Sequence, residues 1–337
     1  MKSKYIEFPE KGIIKVKEEE VETKVLDPME VIIENEASII STGTELARLN
    51  ALETGMEFPL RPGYGSIGRI TAKGEGIDDF EVGDRVFYAG IHASVQRFDH
   101  GQNHQWAYLF PVPEDIDPTE ATLACMAQIA MTANNVSDIK LGDKVAVYGL
   151  GMIGILAGIM YKEMGAYVIG LDPLTERCEL AESVGFDATI DAVPDKQVEE
   201  ILAATDQKGA EVTVDAVGHS AVINNCIDST ADFGQIILVG SPRASYTGDQ
   251  TSAYSRIHMK GLVVKGAHMW RYPVDAQRGC QMDVAWTYKV VFDLIKSGKI
   301  DASKLISHII SPEEAPAAYK GLEENANEYK CVVIDWR

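Results

Sequence analysis

VAVYGLGMIGILAGIMYKEMGAYVIGLD, Val145 to Asp172, carries no charged side chain over its first seventeen residues. That length approaches the roughly 18 to 20 apolar residues of a membrane-spanning helix. The run breaks at Lys162 and Glu163, however, and Gly149, Gly151, Gly154 and Gly158 weaken it as one long helix. It reads instead as a buried strand over 145–148, a glycine turn, a helix over 155–164 and a second strand over 167–171. In the turn Gly149-Leu150-Gly151-Met152-Ile153-Gly154, the first glycine permits the tight bend and the second lets backbone approach a pyrophosphate. The third lets the helix pack close against the sheet. Phosphates at such a turn sit on the positive end of the helix. The second strand ends in Asp172, eighteen residues beyond the last glycine. An acid there accepts from the adenosine ribose and repels a 2′-phosphate, so the expected cofactor is NAD rather than NADP. The competing role for Asp172 is a helix cap before PLTER. Arg177, in the helix that follows, joins the expected cofactor set.

Downstream the alternation continues: a helix over 175–184, FDATIDA, a helix over 196–204, EVTVDAVG, a further helix and QIILVGSP. Strands alternating with helices at this spacing predict a doubly wound parallel sheet, which binds ligands at the carboxyl ends of its strands. Val217, Gly218, Gly240 and Ser241 stand at two such ends and complete the expected cofactor groove. The first hundred or so residues differ. GIIKVKEEEV, EVIIENEASII and VGDRVFYAG read as short strands with glycine turns, hence a β-rich, barrel-like domain. The last sixty residues return to it, which gives a nucleotide-binding domain over 126–275 inserted between 1–125 and 276–337.

The bulk composition bounds the function. The chain has 337 residues, 46% of them hydrophobic, with a formal net charge of −20, room for about two domains. Negative charge spread along the sequence argues against a nucleic-acid or anionic-membrane partner. MKSKYIEFPEKG has no apolar export segment, so the expected compartment is the cytoplasm. The cysteines (Cys125, Cys178, Cys226, Cys280, Cys331) form no C-x-x-C pair and are expected to be reduced.

Taken with the glycine turn, RPGYGSIGRITAKGEGIDDFEVGDRV, FPVPEDIDPTEATLA and ISHIISPEEAPAAYKGLEENANEYKCVVIDW resemble the medium-chain dehydrogenase/reductase superfamily, the alcohol-dehydrogenase-like enzymes, nearly end to end. The resemblance implies a Rossmann sheet beside a GroES-like β-barrel catalytic domain, and hydride exchange with a nicotinamide. IISTGTE and GYGSIG are most similar to the branch that includes bacteriochlorophyllide dehydrogenase and polyol or sugar dehydrogenases; the pigment substrate is not carried over. Zinc members hold their metal through a cysteine, the histidine of a GHE motif and a third cysteine or acid. Here Ser41 stands at the cysteine position, Gly63-Tyr64-Gly65 at GHE, and Cys125 near the third. One thiol with a serine and a tyrosine is not a zinc site, and the expectation is no catalytic metal, with His92, His100 and His104 as the remaining route to one.

Without a metal, a substrate hydroxyl still needs a proton partner and its oxygen a donor. Tyr64, in the vacated histidine slot, and His92, in AGIHASVQRF, are the candidates for the proton, with Ser41 and Thr42 hydrogen-bonding the substrate. The plainer alternatives are a packed Tyr64, a filler Ser41, a cleft-lining or capping His92 and a buried Cys125. Cys125, His268 and Trp270 are expected to line the substrate region, the last two near the nicotinamide, where aromatic faces and donors suit a polyhydroxylated ring. The strand over 262–267 is expected to pair across a two-fold into a homodimer or homotetramer. The expected function is NAD-dependent interconversion of a secondary alcohol and a ketone on a small substrate such as a sugar, polyol or cyclitol. An enone or quinone reductase and a non-catalytic NAD(H)-binding relative are the rivals.

Overall fold

The computed structural model describes all residues of the chain except 54, 103, 104 and 243, and structural statements refer to the described residues. They divide into two compact units, Met1–Cys125 with Tyr272–Arg337, and Met126–Arg271. The first boundary falls where the composition changes, after Cys125; the return falls at Tyr272, four residues before the expected 276.

In the inserted unit six parallel strands lie in the order Ala188–Asp191, Tyr167–Asp172, Lys144–Tyr148, Ala210–Asp215, Thr230–Leu238, Val263–Gly266. The chain starts in the middle, winds outward to one edge and returns to wind to the other. The reversal therefore lies between Lys144–Tyr148 and Ala210–Asp215, where open α/β sheets take their ligands. Burial on both faces explains the unbroken apolar runs of these strands. Ala146, Tyr148, Ile169, Leu171, Ile201, Cys226 and Ile236 form one core cluster. Residues 145–172 form a strand, a turn, the helix Met152–Glu163 and the strand Tyr167–Asp172, and among the described residues no helix is long and apolar enough to cross a membrane.

The other unit is built on a seven-stranded sheet in which Glu30–Ile39 pairs antiparallel with Ser66–Lys73, Val95–Asp99 and Val332–Asp335. The C-terminal strand enters this sheet beside Ile39, so the return of the chain is needed to complete it. One feature departs from the β-rich reading: Thr42–Leu49, inside IISTGTELARLN, is a helix. Its apolar residues Ala47 and Leu49 are buried, and Leu49 joins Ile6, Phe8, Tyr319 and Leu322 in a core cluster. A helix of two turns is too short for period alone to reveal; its partner, Ala315–Glu324, lies far away in sequence.

Candidate functional site

In the inserted unit the glycine turn has the geometry its spacing requires. Gly149 has φ +91 and its N–H donates to Leu171 O at 2.8 Å. A Cβ on Gly154 would lie 1.9 Å from the Gly149 carbonyl oxygen, so only glycine lets the helix start this close. Gly151 is the opposite case, for a Cβ there would meet nothing within 4 Å. That open face stands at the N-cap of Met152–Glu163, which has no side-chain cap. The helix start thus offers the N–H groups around Gly151, Met152 and Ile153 to an anion, and a dinucleotide pyrophosphate fits it.

Asp172 is 2% exposed. Its Oδ2 accepts from Leu150 N at 2.9 Å and from Arg177 Nη1 at 3.2 Å, and its Oδ1 accepts from Leu174 N at 3.0 Å. The residue at the cap of the next helix is Leu174, not Asp172. Asp172 therefore pins the glycine loop and keeps capacity for one further donor, the place a ribose hydroxyl would take. Arg177 serves as its counter-ion here, a role the sequence did not reveal. Asp215 was missed altogether. Its Oδ1 accepts from Val217 N and Gly218 N, both at 3.0 Å, and its carbonyl from Gly240 N at 2.8 Å. It ties two strand-end loops together, burial pushes its carboxyl above the ordinary value, and its Oδ2 is buried without a partner. The loops cross so closely that a Cβ on Gly218 would lie 2.4 Å from Ser241 O. Ser241 and His268 are exposed and Trp270 half-buried.

In the other unit Ser41 and Tyr64 come together: their side-chain oxygens are hydrogen-bonded. Thr44 adds a second hydroxyl to the Tyr64 phenol, a contact that sequence reasoning missed. Trp106 stands edge-on to the Tyr64 ring at 5.6 Å. Thr42, half-buried, opens the helix that Ser41 caps. Burial first, then the neighbouring Cys125 and Glu45, push the phenol well above its ordinary value near 10, outweighing the Ser41 and Thr44 hydroxyls that favour its anion. The phenol is thereby held in its protonated form.

Two expectations are corrected. His92 is 0% exposed. Its Nδ1 lies 2.8 Å from Ser38 Oγ and its Nε2 3.1 Å from Glu45 Oε2, so both ring nitrogens are occupied inside the unit and the ring does not meet a substrate. Cys125 is 2% exposed and also lines nothing: its Sγ would lie 2.6 Å from a Cβ on Gly65, packing under the Tyr64-Gly65 backbone. Burial, reinforced by the Glu45 charge, holds its thiol protonated.

The superfamily resemblance implies a catalytic zinc, and the donors at the matching positions do not fit one. A serine hydroxyl, a phenol and a single thiol are not the thiolate and imidazole set that zinc takes. Among the described residues no three His, Cys, Asp or Glu side chains converge as a metal site. His100 bonds to the Ala107 carbonyl through Nδ1 at 3.1 Å, and His104 lies outside the described residues.

Comparison with known proteins agrees with this architecture. Residues 152–280 match the family described as zinc-binding dehydrogenase. D-guloside 3-dehydrogenase of Escherichia coli K12 is 26% identical over 267 residues, 79% of this chain and 74% of that protein. The structure of galactitol-1-phosphate dehydrogenase from Escherichia coli superposes with a TM-score of 0.83 at 19% identity, covering 98% of this chain and 99% of that one. A protein of Escherichia coli CFT073 described as a short chain alcohol dehydrogenase, complexed with NADH, covers 99% of both chains with a TM-score of 0.81 at 19% identity. In the family match over residues 152–280, in sequence likeness and in fold, the chain is similar to zinc-type alcohol-dehydrogenase-like proteins.

Proposed function

We propose that this protein is an NAD-dependent alcohol dehydrogenase that works without catalytic zinc on a secondary hydroxyl of a small polyhydroxylated molecule, a sugar, polyol or cyclitol. The observation that carries the reading is the Ser41–Tyr64 hydroxyl pair, standing where relatives of this superfamily carry metal ligands, with a phenol that burial keeps protonated. The bound nicotinamide would supply the hydride exchange. The chain's own task is to hold and polarise the substrate oxygen: Tyr64 keeps its proton at Oη, and Ser41 and Thr44 fix where that proton points. A donor of this kind stabilises the oxyanion that develops as a ketone is reduced, and in alcohol oxidation the phenolate form of the same Oη takes the hydroxyl proton back. Binding and orientation then contribute much of the rate.

The Asp172 charge, compensated by Arg177 but buried at the strand end, favours the free 2′-hydroxyl of NAD over a 2′-phosphate. Similarity to D-guloside 3-dehydrogenase and galactitol-1-phosphate dehydrogenase supports the polyhydroxylated class. The free cysteines fit work in the reducing cytoplasm. Val263–Gly266 is the outermost strand of its sheet, with Val263 47% and Val264 42% exposed. An apolar open edge of this kind supports pairing with a second copy of the chain.

The test is NADH formation from a panel of sugars, cyclitols, polyols and secondary alcohols, each with and without a chelator. Chelator-resistant turnover of a polyhydroxylated alcohol is the expected result. Turnover abolished by the chelator and restored by zinc would overturn the metal-free part, and reduction of quinones or enones alone would replace the reading by the reductase one.

A further inference from the structure

Behind the hydroxyl pair lies a polar network that the proposed function does not use. Glu45 is 0% exposed, a carboxylate fully inside the unit. Its Oε1 accepts from the backbone N–H of Ser41 at 2.8 Å. Its Oε2 accepts from the Tyr319 hydroxyl and faces His92 Nε2 at 3.1 Å. On the far side of the imidazole, Trp336 Nε1 donates to Ser38 Oγ at 2.9 Å. Having accepted there, Ser38 has its own hydrogen to give to His92 Nδ1, which leaves the Nε2 hydrogen to point at Glu45. Trp336, Ser38, His92 and Glu45 are thus linked in one chain of hydrogen bonds, and Tyr319 and the Ser41 backbone converge on the same carboxylate from two other sides. Five separate segments contribute: the strand Glu30–Ile39, the helix Thr42–Leu49, the loop around His92, the helix Ala315–Glu324 and the C-terminal end after the strand Val332–Asp335.

A buried carboxylate is tolerated only when donors surround it, and it then holds those donors rigidly. One of the three is the backbone of the residue whose side chain contacts Tyr64. Ser41 caps the helix without using its side chain for the cap, so its hydroxyl is free to face the phenol while Glu45 fixes its main chain. The same carboxylate charge is felt at Tyr64 and Cys125, favouring the protonated form of both.

Resting on the dehydrogenase reading for its catalytic meaning, we propose that Glu45 is the positioning residue of the Ser41–Tyr64 pair, and that His92, Ser38, Trp336 and Tyr319 serve to hold Glu45 in place. The metal of zinc relatives orients the substrate oxygen directly; here a buried anion, out of reach of substrate, orients the donor that does so.

The test needs a readout in the free protein. With the full chain labelled at tyrosine Cζ by carbon-13, the Tyr64 signal is identified by its loss in Tyr64→Phe. In Glu45→Gln, which keeps shape but removes the charge, the Tyr64 signal is expected to shift or broaden while NADH affinity stays within about twofold, because the cofactor turn lies in the other unit. Tyr319→Phe, which removes one donor from the carboxylate and leaves the Ser41 contact, is expected to shift it less. A folded Glu45→Gln protein with the Tyr64 signal unmoved overturns the proposal. Should Glu45→Gln not fold, an unmoved signal in Tyr319→Phe does the same.

The kinetic arm uses galactitol and butane-2,3-diol as probes. A fall in kcat of about 10- to 100-fold in Glu45→Gln at nearly constant KM is expected of a displaced donor, whereas an unchanged kcat overturns the positioning role. If neither probe is turned over by the unaltered protein, the dehydrogenase reading fails on these substrates and the spectral shift still decides the case for Glu45.

Discussion

The glycine turn and the hydroxyl pair are built on opposite principles. At the turn the chain is specified by what is absent: side chains that would strike the Gly149 carbonyl or the Ser241 backbone are missing, and an open face stands before the helix at Gly151. At Ser41 and Tyr64 it is specified by what converges: hydroxyls and a carboxylate brought together from strands, a helix and the C-terminal segment. A backbone cradle tolerates no added atom but needs no distant partner. A side-chain constellation tolerates substitution of shape but depends on every element that holds it.

The comparison breaks most visibly at Tyr64. Tyr64→Phe should lower turnover by at least ~100-fold, the low end of what a general acid contributes, with NADH affinity unchanged; near-normal turnover would remove Tyr64 from the chemistry. In the other region the two glycines should part company. Gly151→Ala should fold normally, since its Cβ meets nothing, yet bind NADH at least ~10-fold more weakly. Gly154→Ala should cost about 1–3 kcal/mol of stability, because its Cβ collides with backbone that has to move. Paired fluorescence titrations and thermal melts decide this, and equal behaviour of the two variants would show that the open face is not a phosphate site.

Asp172→Asn keeps the shape but removes the charge and leaves one acceptor oxygen for the Leu150 and Leu174 N–H groups, which in the native chain bond to different oxygens. The kcat/KM preference for NAD over NADP should fall by about tenfold, roughly one like-charge contact; an unaltered preference would leave Asp172 as a loop anchor only. The smallest kinetic effect is expected at the residue whose expected role was corrected. His92→Ala should destabilise the protein by about 1–3 kcal/mol in denaturant titrations, by stripping a buried donor from Glu45. The pH profile of its remaining turnover should keep its shape, and a lost inflection would return His92 to direct proton exchange.

Stability against pH sharpens the same point. Burial raises the phenols of Tyr64, Tyr88, Tyr148, Tyr161 and Tyr288 above the ordinary value near 10. In the unfolded chain these groups lose protons from about pH 10 upward, while the folded protein retains them. The folded state then binds more protons, and stability should fall as pH climbs beyond that point. Melting followed from pH 8 to 11 checks this; a melting temperature that is flat across the range contradicts the burial of these hydroxyls.

Legibility followed the same division. The turn could be read because each glycine's reason lies within a few residues of it, and the parallel sheet because its strands alternate with helices at short spacing. The helix Thr42–Leu49 was not legible, since what selects it is the apolar packing of Leu49 beside Tyr319 and the reach of Glu45 back to Ser41. His92 was misread for a related reason. A histidine in a β-rich loop looks the same in sequence whether it faces solvent or a carboxylate 47 positions away. Asp215 escaped notice because its partners are backbone N–H groups, which leave no trace in residue types.

What the sequence by itself determined is therefore the doubly wound sheet, the glycine turn and the domain boundary after Cys125. These follow from local sterics and from periodicities of 2 and 3.6 residues, which any short window carries. Only the tertiary structure decided that the Tyr64 phenol is buried and held protonated, that His92 and Cys125 are enclosed, and that Glu45 stands behind the pair. The physical reason is that desolvation and hydrogen-bond satisfaction are set by whatever surrounds a group, and in this unit the surroundings arrive from both ends of the chain.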